Sequence, residues 1–115
     1  MRRDPRAYLW DAAQAITHVQ RFSQDRTFED YEADILLRSG VERQLEIAGE
    51  ALNQLSRVDS ALAARVPELA SIVGFRNVLV HGYATVDNAR VWDVIKHNVP
   101  ALHAVITQLL QERDT

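Results

Sequence analysis

Cysteine is absent from this chain of 115 residues, so disulfides and thiolate metal sites are excluded. Proline and glycine are scarce, with three and four copies, and the runs between them are long. No alternating run of β-branched residues appears, which excludes a strand-rich fold and favours helices. No segment approaches the length of a membrane span. Excess positive charge is missing too, since 13 Lys and Arg face 16 Asp and Glu for a net charge of -3. A nonspecific nucleic-acid binder is usually basic. Any contact with RNA must therefore come from a local patch or an oligomer cleft. The N-terminal arginine pair, Arg2-Arg3, is not followed by an apolar run, because Asp11, Gln14 and His18 interrupt the next stretch. A signal peptide is not expected, and a cytoplasmic chain is.

What is present is ordinary for a globular protein: 47% hydrophobic and 25% charged residues. The length suits one domain, residues 1–115, with a real but small core. The pattern reads as all-α, an antiparallel bundle of about five to six helices. Asp4-Pro5 should open the first, with Tyr8, Leu9, Ala12, Ile16 and Val19 as its apolar stripe to about Gln24. Thr27 can cap a short turn that tucks Phe28 and Tyr31 inward. A long helix should cover about Ala33 to Arg57, with Gly40 marking a bend or a close contact. A short helix around Ser60 to Arg65 follows. Pro67 should open the next, ending near His81 with Gly82 as cap. Asp87 and Asn98 should start the last two.

Two faces of the long helix are legible. Val41, Leu45, Ala48, Leu52 and Leu55 form an apolar seam suited to antiparallel packing. Arg43, Glu46, Glu50, Asn53 and Arg57 recur on nearly the opposite side. That stripe is either a solvated face or the lining of a cleft or dimer seam. Glu46 and Glu50, one turn apart, suit salt bridges to Arg43 or Arg76 better than paired acid–base chemistry.

Chemistry concentrates in Arg76-Asn77-Val78-Leu79-Val80-His81-Gly82-Tyr83. His81 can move protons near neutral pH, and Arg76 can hold phosphate through a planar fork of donors. Tyr83 can orient a phosphate or carry a modification. Asn77 can fix the His81 ring or contact RNA. These are the parts of a metal-free ribonuclease and equally of a nucleotide-binding surface. Five residues of helix separate Arg76 from His81 by roughly 140°, so one regular helix does not aim both at one phosphate. Two copies meeting across a two-fold axis would pool their side chains around one groove. His18, His97 and His103 lack the spacing of a helical metal site, and no metal or cofactor is expected. Trp10 and Trp92 read as core or interface anchors.

The motif closely resembles the signature of the HEPN superfamily, in particular HepT-like ribonuclease toxins. The likeness extends to the Gly49-Glu50-Ala51 step, to Val86-Asp87, to Val91-Trp92-Asp93-Val94 and to Val99-Pro100-Ala101-Leu102, in the right order along nearly the whole chain. It implies an all-α domain that dimerises with its motif helices near the two-fold axis. It implies metal-independent endoribonuclease activity resting on Arg76 and His81, with Asn77, Tyr83 and Glu50 in support. It also implies a type VII toxin–antitoxin pair, in which a nucleotidyltransferase antitoxin of the MntA type attaches AMP to a motif tyrosine. Some relatives carry an extra tyrosine where this chain has Val78, which leaves Tyr83 as the one acceptor carried over. Other members of the superfamily only bind nucleotides or partners, so the resemblance also allows a noncatalytic subunit of a nucleotidyltransferase complex.

Overall fold

The computed structural model describes residues 3–82 and 86–112. Those residues form seven helices and no strand, two of the helices being very short.

Helix α1 (Pro5–Ser23) starts where expected, with the Asp4 carboxylate accepting the Arg6 N–H at 2.8 Å. Helix α2 (Phe28–Ala33) opens on a reciprocal cap, in which Thr27 Oγ1 accepts the Asp30 N–H and the Asp30 carboxylate accepts the Thr27 N–H. Helix α3 (Ile35–Val58) begins two residues later than the periodicity suggests. Asp34 breaks the helical backbone and caps the new start, accepting the N–H groups of Leu36 and Leu37. Helix α4 (Ser60–Ala63) is a single turn capped by Asp59.

Helix α5 (Leu69–His81) is not opened by Pro67. Glu68 adopts a left-handed conformation with φ of 56° and ends the preceding turn, so the helix starts after it and has no side-chain cap. Gly82 does cap the other end, donating its N–H to the Val78 carbonyl at 2.8 Å, although its φ of -108° is not left-handed. Asp87 starts α6 (Asn88–His97) as anticipated. Asn98 does not cap α7 (Val99–Gln111) with its side chain, and its backbone stays in the helical region. Its amide instead donates to Glu68 at 3.0 Å, tying the α6–α7 junction to the start of α5.

The core runs along α1 and α3. Leu9, Ala12, Ala15, Ile16 and Val19 meet the α3 seam, of which Val41, Leu45, Ala48, Leu52 and Leu55 are all buried. These two helices are antiparallel, because Phe22 approaches Gly40 and His18 bonds Gln44 at 3.0 Å while Tyr8 and Asp11 share a cleft with Glu50 and Gln54. Gly40 therefore marks a close contact, since a Cβ there would stand 3.3 Å from the Phe22 ring. Helix α7 closes the other side of α1 through Leu102, Ile106 and Leu109, and Arg6 donates to the last carbonyls of α7, Leu109 and Leu110.

Tyr31 is buried, with Trp92 packed at 5.5 Å and the half-buried Phe28 beside it. Trp92 is thus an anchor of the α2–α6 contact. Trp10 is no core residue, being 57% exposed, because its position on α1 lies off the buried stripe.

Candidate functional site

The site is built at the crossing of α3 and α5, and a glycine permits it. A Cβ on Gly49 would lie 2.4 Å from the Arg76 Cβ and 2.9 Å from its Cγ, closer than carbon atoms approach. The two helices thus touch at that point, and the Arg76 side chain emerges directly over the next α3 residue. Arg76 Nη2 forms an ion pair with Glu50 Oε2 at 2.8 Å, and Nη1 donates to Asn77 Oδ1 at 2.8 Å. Gln54 Nε2 donates to the other Glu50 oxygen at 3.0 Å. The Arg76 side chain is only 27% exposed.

These groups line one side of a cleft of about 470 Å³ between α1, α3 and α5. Two further arginine–carboxylate pairs line the rest, Arg3 with Asp11 at 2.7 Å and Arg43 with Glu46 at 3.8 Å. Tyr8 completes the wall, with the Arg3 guanidinium 4.8 Å over its ring. The polar stripe of α3 is therefore a cleft lining at Arg43, Glu46 and Glu50, whereas Arg57 is exposed. Both anticipated salt bridges of Glu46 and Glu50 form.

Of the residues singled out in the sequence, Arg76, Asn77 and Glu50 come together. Asn77 is bonded to Arg76, a role not assigned to it beforehand. His81 is the last residue of α5 and is exposed. The helix runs unbroken from Arg76 to it, so the turn of roughly 140° remains and the two do not converge on one point of one chain. Tyr83 lies outside the described residues. Tyr8, Asp11 and Gln54 were not anticipated at the site. Their spacings offered a signal, Tyr8 and Asp11 one turn apart on α1 and Gln54 one turn beyond Glu50, but only the α1–α3 register joins them.

The other histidines are held by polar neighbours: His18 by Gln44, His103 by Thr17 at 3.2 Å and His97 by Asp93 at 3.3 Å. Among the described residues no group of three His, Asp or Glu side chains converges to hold a metal ion. None of the described helices is long and apolar enough to cross a membrane.

Fold and site define a small all-α protein whose central polar feature is an arginine–carboxylate pair at a glycine-permitted helix crossing. Residues 12–109 match the family model "Ribonuclease HepT-like", and the chain belongs to that family. It is 32% identical over 111 residues to the "Probable ribonuclease HepT" of Thermococcus cleftensis, covering 95% of this chain and 98% of that one. It is 31% identical over 101 residues to the "Putative RNase MJ1380" of Methanocaldococcus jannaschii, covering 88% and 92%. A longer M. jannaschii protein, "Gamma-glutamylcyclotransferase and putative RNase MJ0434", is 29% identical over 116 residues, with 99% of this chain spanning 51% of its length. No solved structure matches.

Proposed function

We propose that the chain is a metal-independent endoribonuclease toxin that acts as a homodimer and is neutralised by a nucleotidyltransferase antitoxin. The observation that carries this reading is the placement of Arg76. In this chain, a member of the HepT-like ribonuclease family, a glycine contact and a glutamate hold that guanidinium in a cleft wall, on the same helix as an exposed histidine.

In the proposed reaction the RNA 2′-hydroxyl attacks the adjacent phosphorus and the 5′-oxygen leaves. His81 takes the first proton or supplies the second. Arg76 exchanges Glu50 for the non-bridging oxygens and stabilises their added charge. The need for both residues at one phosphate supports a dimer, since two copies of α5 can pool two arginines and two histidines. The surface of α5 supports it as well. The helix is apolar around most of its circumference, yet Val78 and Val80 are 36% and 37% exposed.

Purified protein incubated with RNA, with and without EDTA, tests the reading. Cleavage should survive chelation and leave 2′,3′-cyclic phosphate ends. His81→Ala or Arg76→Ala should lower the rate about 100- to 10,000-fold with the helical spectrum intact. Full activity in both variants, or chelator inhibition reversed by a divalent ion, overturns the mechanism.

Control is proposed to act at Tyr83. With an MntA-type antitoxin and ATP, the phenol oxygen attacks the α-phosphorus and pyrophosphate leaves. The AMP then presents its own phosphate to Arg76 and fills the groove. Intact-mass analysis should show added AMP that Tyr83→Phe lacks. Inhibition by the antitoxin with no mass change would point to direct occlusion.

A second reading, a noncatalytic nucleotide- or partner-binding subunit, draws on the same ion pair, because Glu50 already neutralises the cation. The cleavage assay separates the two.

A further inference from the structure

We infer that the cleft beside Arg76 is a nucleobase pocket in which Tyr8 is the ring that a base of the bound RNA stacks upon. The inference takes from the ribonuclease reading only the identity of the polymer.

The cleft, at about 470 Å³, lies within the range of roughly 300 to 1,000 Å³ typical of small-ligand sites. Its charges cancel. Arg3, Arg43 and Arg76 are each paired with a carboxylate, so the walls offer donors and acceptors but no net attraction for a row of phosphates. Such a lining suits a flat, neutral, polar group. Tyr8 supplies the apolar plane for it. Its ring is partly buried, and one face already carries a planar cation, the Arg3 guanidinium. That guanidinium is half exposed and its ion pair with Asp11 lies at the surface. Surface pairs contribute little, so a base can take its place on the ring at small cost. Proteins that bind single-stranded RNA use tyrosine faces in this way. Arg76 in the wall then holds the phosphate joined to the stacked nucleotide, and the Gln54 amide and Asp11 carboxylate lie within the same walls to read its polar edge.

A short RNA containing 2-aminopurine, 2′-O-methylated throughout so that it cannot be cut, reports stacking directly. Its fluorescence should be quenched by the wild-type protein and by Tyr8→Phe, and not by Tyr8→Ala. Affinity for that RNA should fall roughly 5- to 150-fold in Tyr8→Ala. With cleavable RNA of mixed sequence, Tyr8→Ala should raise KM more than it lowers kcat. It should also flatten the base preference at one position beside the cut, which a purely structural role would not do. Tyr8→Leu, which keeps an apolar side chain against the core without an aromatic face, should give the alanine result and carries the comparison should the alanine variant unfold.

Cleavage with affinity and base preference unchanged by Tyr8→Ala and Tyr8→Leu overturns the pocket and leaves the ribonuclease reading standing. Tyr8-dependent quenching without cleavage by the wild type leaves the pocket standing and removes the ribonuclease reading. Absence of both binding and cleavage overturns the two together. Free nucleoside monophosphates that bind as tightly as the RNA would assign the cleft to a mononucleotide and overturn its assignment to the polymer.

Discussion

Glu42 on α3 sits where burial pushes its carboxyl above the usual carboxylate range; Arg38 opposes that shift and Glu46 adds to it. Its neighbour Tyr31 has a buried hydroxyl with no hydrogen-bond partner among the described residues, and burial, followed by the charge of Glu42, drives that phenol upward as well. The sign for Glu42 is set by linkage. The folded chain binds this proton more tightly than the unfolded chain does. Stability from this group is therefore present below the ordinary glutamate value of about 4.3 and is lost as pH rises through the raised value. At neutral pH the charged carboxylate is a net cost. Glu42→Gln should thus melt at a higher temperature than the wild type at pH 7, and the advantage should vanish below about pH 4. Thermal denaturation across that interval measures it, and an advantage that is constant with pH would assign the effect to something other than the charge.

At the scale of helices, the crossing of α3 and α5 rests on a single missing side chain. Gly49→Ala would place a methyl group 2.4 Å from the Arg76 Cβ, an atom fixed to the α5 backbone, so the helices themselves must separate. Overpacking of this kind costs about 1–3 kcal/mol. The movement also carries Arg76 away from Glu50. Gly49→Ala should therefore lose more RNA-cleaving activity than a variant matched for stability by truncating a core leucine remote from the site. Chemical denaturation and cleavage rates on the pair decide this. The seams that pack α1 on α3 were legible in the sequence, because their spacing of three and four follows directly from helical geometry. So were the caps at Asp4, Thr27 and Asp87, where side chain and backbone lie within three residues of each other. Local patterning did not reveal that Glu68 would turn left-handed past Pro67, or that Asn98 would bond Glu68 rather than cap its own helix. The cleft shows the same division. Arg76 and Glu50 stand out as residue types, while Tyr8, Asp11 and Arg3 join them only through the register of two antiparallel helices, which no short window contains.

For the whole molecule, the exposed Val78 of α5 and the histidine at its end belong to one proposed two-fold contact. Sedimentation should find a dimer at micromolar concentration. Replacing Val78 with aspartate should shift it to monomer, because like charges meeting across a dimer axis repel. The helical spectrum should persist, since Val78 is already exposed in the single chain. Cleavage should fall with dimer content. A wild-type protein that remains monomeric at that concentration and cleaves RNA would show that one copy of His81 and Arg76 is enough.

The pairing of every arginine in the cleft with a carboxylate has a kinetic consequence. A chain of net charge -3 whose cleft cations are already matched exerts no long-range attraction on a polyanion. Encounter with RNA then proceeds by unguided collision, at rates of about 10⁵–10⁷ M⁻¹s⁻¹ rather than those of steered pairs. Since few counterions need to leave, added salt does little to slow it. Such a protein is not held by every passing nucleic acid. Its residence on RNA depends on short-range fit, and transcripts that offer no fit release it as quickly as they met it.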